Sequence, residues 1–126
     1  MTHERESTPH ARRGLLSALL HRTEPVPRIR EQLAQLPWDS EPLIQLRDAH
    51  LLTALSDYLD GAADAESLEE WADAVEVRDD IEFTRELHIE IVYELATPYA
   101  AGPLTPDVAR AMQRRILRDP AGADPV

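Results

Sequence analysis

An all-α fold, built as a four-helix core bundle with one or two short N-terminal helices, follows from three observations. Apolar residues recur at three- and four-residue spacing between residues 41 and 118. Ten prolines and four glycines punctuate the chain between these stretches. No segment reads as a strand: the one run rich in Ile and Val, His88 to Val92, lies inside a continuous helical pattern. With 126 residues and 43% hydrophobic content, the chain is long enough for one domain with its own core.

The elements follow in order. Residues 1–11 are polar and mixed in charge and read as a disordered tail, since nothing apolar there offsets the cost of ordering. A short helix over 12–22 presents Leu15, Leu16, Leu19 and Leu20, and Pro25 and Pro27 end it. A second, over 28–36, carries Ile29, Leu33 and Leu36, and Pro37 stops it. Ser40 is placed to cap a helix over 41–60 with Ile44, Leu51, Leu55, Tyr58 and Leu59 on its stripe, and Gly61 sits where a C-terminal glycine belongs. Asp64 caps the next helix, whose Leu68, Trp71, Ala72 and Val75 fall at i, i+3, i+4 and i+7. Asp79 or Asp80 then caps a helix over 81–96, with Phe83, Leu87, Ile91 and Leu95 every four residues. Thr97-Pro98 ends it. Thr105-Pro106-Asp107 starts the last helix, which carries Val108, Met112 and Ile116, and 119–126 reads as a flexible tail after a single domain over 12–118.

Charge is distributed unevenly. The net charge is −11, yet Asp48 to Asp107 holds sixteen acids against two bases, Arg78 and Arg85, while both flanks are mildly basic. Such a surface repels nucleic acid and anionic lipid and favours a basic protein partner. All thirteen bases are arginine, which with the abundant Ala, Asp and Pro reflects a GC-rich coding bias. The absence of cysteine removes disulfides and thiolate metal sites and points to a reducing cytoplasm. No apolar run approaches the roughly 20 residues of a membrane span, and the first thirteen residues lack the apolar core of a secretory signal.

The constellation of most interest is on the 81–96 helix. Glu82, Glu86, Glu90 and Glu94 recur every four residues as a carboxylate ridge, joined at its start by Asp79 and Asp80. Like charges at i, i+4 cost a few tenths of a kcal/mol each. The ridge therefore reads either as a solvated face or as a surface completed by a basic partner. Trp38, after Pro37, either clamps the N-terminal helix to the bundle or serves as an exposed apolar anchor. Trp71 reads as a core anchor, and Arg78 as a tie among neighbouring acids.

Other chemistry is not expected. The five histidines include no i, i+4 pair and no Glu-x-x-His motif, so neither a metal site nor a cofactor is assigned, and His50 and His88 read as packed residues. No serine sits in a nucleophile elbow, no glycine loop cradles phosphate, and no carboxylate pair has a spacing that marks a cleft, so an enzyme is not expected. Arg12-Arg13 and Arg114-Arg115 lack neighbouring aromatics, and direct nucleic-acid binding is not expected.

The stretches Tyr58-Leu59-Asp60-Gly61, Leu68-Glu69-Glu70-Trp71-Ala72 and Glu76-Val77-Arg78-Asp79-Asp80-Ile81 resemble a pattern of small uncharacterised helical bacterial proteins. Tyr93 to Pro98 and Gly102 to Thr105 also fit it, so it covers about 41–118. In size, acidity and helical layout the pattern is similar to colicin-like immunity proteins, and the resemblance implies binding and neutralising a toxin, with no site residue carried over. The expectation is a cytoplasmic interaction module, an immunity protein or antitoxin, that meets a basic protein through the ridge. The alternative is an assembly subunit that forms a homo-oligomer through its leucine-rich 12–36 segment.

Overall fold

The computed structural model describes residues 2–36 and 41–118, with side chains from Pro9 onward. Its elements are α1 (Thr2–His21), α2 (Val26–Ala34), β1 (Ile44–Leu46), α3 (Asp48–Leu59), α4 (Ala65–Glu76), β2 (Ile81–Phe83), α5 (Glu86–Ala96), α6 (Pro98–Ala101) and α7 (Pro106–Arg118). The chain is mostly helical. Trp38 and Ser40 lie outside the described residues, as does the segment 119–126.

Two expected helices are shorter than the pattern implied, because each gives its first residues to a strand. Ile44-Gln45-Leu46 pairs in parallel with Ile81-Glu82-Phe83, in the register Ile44↔Ile81, Gln45↔Glu82, Leu46↔Phe83. The expectation that no strand occurs is therefore corrected. Both segments alternate apolar, polar, apolar over three residues, too short a run to stand out from a helical stripe. Parallel pairing needs a long crossover, which α3 and α4 supply. The ribbon is closed at one end by Leu43 N–H donating to Asp80 O (2.8 Å) and at the other by the Thr84 hydroxyl donating to Leu46 O (2.9 Å).

Several turns fall where the chain chemistry puts them. Gly61 takes φ +84° after α3, and Ala62 N–H and Gly61 N–H bond back to Asp57 O and Tyr58 O, a Schellman closure. α1 ends in the same motif, with Arg22 in the left-handed position at φ 56°. A side chain there costs energy relative to glycine, and Arg22 is held by its ion pair to Asp57 at 2.6 Å. Asp64 caps α4 by accepting from Ser67 N–H at 2.8 Å, and that bond holds its carboxyl below the ordinary value of 3.8. Thr105 does the same for α7 through Val108 N–H. At the other end of the chain, α1 begins at Thr2, where the sequence pattern places a tail.

The core forms around α4. Leu68, Trp71, Ala72 and Val75 are buried, and the Trp71 indole N–H donates to Leu19 O at 2.7 Å, fastening α4 to α1. Leu16, Leu19 and Leu20 of α1, Ile29 and Leu33 of α2, and Ile91, Val92 and Leu95 of α5 join the same core, and all three helices contact α4. Ala109, Met112 and Ile116 of α7 complete the core, and α7 packs on α3.

Candidate functional site

The acidic residues singled out in the sequence separate into three environments. Glu82 stands on β2 and accepts a hydrogen bond from the Gln45 side chain at 3.0 Å, so it is not in line with the other glutamates. Glu86, Glu90 and Glu94 share α5. Arg115 of α7 reaches Glu94 at 3.1 Å and Glu90 at 3.8 Å, so two carboxylates of the expected ridge have an internal counter-ion. Glu86 makes no ion pair among the described residues.

Asp79 is exposed, but Asp80 is 1% exposed and grips Arg78 with two hydrogen bonds, with Arg12 of α1 at 3.8 Å. Neither caps a helix: α5 starts six residues after Asp80, and the buried carboxylate instead pairs with Arg78 and lies near Arg12 beside the ribbon. Asp80 therefore leaves the set of surface residues available to a partner. Arg78 has the structural role expected of it.

A second polar cluster lies under α5. Asp48, at the start of α3, accepts from Arg85 at 2.9 Å and lies 2.6 Å from His88 Nε2, while Arg85 also donates to Ile116 O. Thr84 Oγ1 is 3.4 Å from His88 Nδ1, so threonine, histidine and aspartate stand in the order of a hydrolase triad. Two facts make it a strut instead. His88 has no exposed surface, and the Thr84 proton is committed to Leu46 O. A nucleophile needs its proton taken by the histidine and a path to substrate. The cluster joins α3, α5, α7 and the ribbon.

His50 lies at the first turn of α3. Its Nδ1 accepts from Arg47 N–H at 2.9 Å, and its ring meets His21 edge to face at 4.8 Å. Burial, and then the nearby His21, Arg47 and His88, lower its pKa below 6.5. Among the described residues no group of three or more His, Asp or Glu could hold a metal ion, and no helix is long and apolar enough to cross a membrane.

The leucine-rich segment offered as an oligomer interface is occupied. Leu16, Leu19, Leu20, Ile29 and Leu33 are each 5% exposed or less, packed into the chain's own core.

The feature that pattern reading missed is a groove of about 730 Å³ between α4, α6 and the start of α7. One wall is acidic, with Glu66, Glu69, Glu70 and Asp73 of α4, and Glu94 of α5 also lines the groove. Its floor is apolar, formed by Leu95, Leu104, Val108 and Met112, and Tyr99 stands on the rim 87% exposed. No arginine lines it, although Arg30 reaches Asp73 from outside at 3.4 Å. The spacing of the wall was legible: 66, 69, 70 and 73 repeat the i, i+3, i+4, i+7 pattern on the face opposite Trp71. The rest of the lining was not, because it comes from residues 94–112, more than 20 positions further on. Comparisons with protein-family models, with curated proteins and with solved structures return no match for this chain.

Proposed function

We propose that this chain is an acidic protein-interaction module that binds a basic protein, acting as an immunity protein or antitoxin that neutralises a toxin by covering its cationic working surface. One observation carries the reading: Glu66, Glu69, Glu70, Glu76, Asp79 and Glu86 lie on α4, its C-terminal turn and the start of α5, and none makes an ion pair among the described residues. Uncompensated carboxylates on adjoining elements give a one-signed field, which speeds encounter with an oppositely charged partner and rejects anionic ones. Apolar contacts at the centre of the interface then set the dissociation rate. In this reading the contact surface shifts from the 82–94 line to α4 and the start of α5, since Arg115 already neutralises part of that line.

The test is affinity capture from the native host's lysate at low salt, eluted with a salt gradient. A single basic protein released by salt is expected. Recovery of the bait alone counts against the reading.

A further inference from the structure

We propose that the groove between α4, α6 and α7 is the seat for one segment of that partner: a short cationic stretch whose arginine or lysine side chains alternate with large apolar ones. The inference rests on the interaction-module reading and goes further by naming the place and the chemistry of the occupant.

The groove carries two demands that a single ligand must meet. Glu66, Glu69, Glu70 and Asp73 run along about 10 Å of α4, at the helical rise of roughly 1.5 Å per residue. Leu95, Val108 and Met112 line the same groove; Leu95 and Met112 belong to the core, and Val108, 38% exposed, offers the open apolar surface. A small inorganic cation would use the carboxylates and leave the apolar floor wet. A purely apolar segment would leave Glu66, Glu69 and Glu70, which make no ion pair among the described residues, facing low-dielectric material, which costs free energy. A peptide with cationic groups on one side and an apolar group on the other satisfies both walls. In an extended chain, successive side chains point to opposite sides, which is the required arrangement. Tyr99 adds an exposed ring on which a guanidinium can stack.

The chain's own C-terminal segment does not match. Residues 119–126 contain Asp119 and Asp124 and no base, so they share the sign of the wall. A second copy could offer Arg110, Arg114 and Arg118, all exposed on α7, and the experiment separates that case.

The test uses the full chain and two labelled peptides of equal positive charge, one alternating arginine with leucine and one alternating arginine with serine, read by fluorescence anisotropy at about 0.1 M salt, where the screening length is about 10 Å. The leucine peptide is expected to bind at least about tenfold tighter, a difference of about 1.4 kcal/mol. Val108→Asp, at an exposed position in the first turn of α7 where an acid suits the helix, should abolish that advantage and leave serine-peptide binding intact. Glu69→Arg with Glu70→Arg should weaken both. Equal binding of the two peptides to the wild-type chain overturns the groove inference. If both are still lost on charge reversal, the acidic-surface reading survives it. Binding of neither peptide overturns the groove inference as well. Salt-sensitive self-association in sedimentation, removed by Arg110→Glu, would put a second copy in the groove and overturn the assignment to a foreign partner.

Discussion

Arg78 holds Asp80 through two hydrogen bonds, Nε to Oδ1 at 2.9 Å and an Nη to Oδ2 at 2.6 Å, and the buried carboxylate also has Arg12 Nε 3.8 Å from Oδ2. The pair fixes the entry into β2, because Asp80 O also accepts from Leu43 N–H. Removing one partner from a buried ion pair leaves uncompensated charge. Asp80→Asn should lower stability by about 3 kcal/mol in urea unfolding, the low end of the buried-pair range because Arg78 retains some exposure. Asp79→Asn, at the exposed neighbouring position, should change it little.

Trp71 couples α4 to α1 through a single polar contact inside an apolar site. Trp71→Phe keeps an aromatic ring but loses the bond to Leu19 O and some volume. A loss of about 1–3 kcal/mol is expected. Because Leu19 O also accepts from Arg22 N–H, the carbonyl is not left bare, which favours the lower part of that range. Thermal or chemical unfolding checks it.

His50 gives stability a pH dependence. Its folded-state pKa lies below 6.5, so the unfolded chain takes up the proton first as pH falls. Stability from this group is therefore complete above 6.5 and declines as pH drops from 6.5 toward the folded value. His50→Gln, whose side-chain carbonyl can still accept from Arg47 N–H, should flatten the decline in melting temperature between neutral pH and pH 5. An unchanged slope would count against the assignment.

Asp64 acts in the opposite part of the scale. The Ser67 N–H bond lowers its pKa, so its contribution is present above 3.8 and disappears as pH falls through the folded value. Asp64→Ala should lower the melting temperature at neutral pH, and the gap to wild type should narrow in acid.

Much of the helical framework was legible, and the losses have a physical cause. Gly61, Asp64 and Thr105 mark their helix ends because turn and cap chemistry is local, and the Trp71 stripe was visible because the eight residues from Leu68 to Val75 suffice to fix a helical period. Ile44 fell on the helical stripe of Leu51 only by coincidence of spacing, and a three-residue strand carries too few residues to contradict it. Ile81-Glu82-Phe83 failed in the same way, which displaced Glu82 from its supposed line with Glu86. The burial of Asp80 and the reach of Arg115 to Glu94 depend on contacts 68 and 21 residues apart in sequence, so neither could be read from local periodicity. Of the six acids that local pattern grouped, Asp79, Glu82, Glu86 and Glu90 are exposed, Glu94 is half-buried and Asp80 is buried, while the apolar lining of the groove needed the packing of α7.

The most direct measurement of the central claim is the salt dependence of affinity for the captured basic partner, comparing wild type with Glu69→Arg/Glu70→Arg and checking both by circular dichroism. The expected result is affinity weaker by at least about tenfold for the doubly reversed chain, with a shallower fall in log K against log salt and an unchanged helical spectrum. Equal affinity and equal salt slope in two well-folded proteins would contradict it.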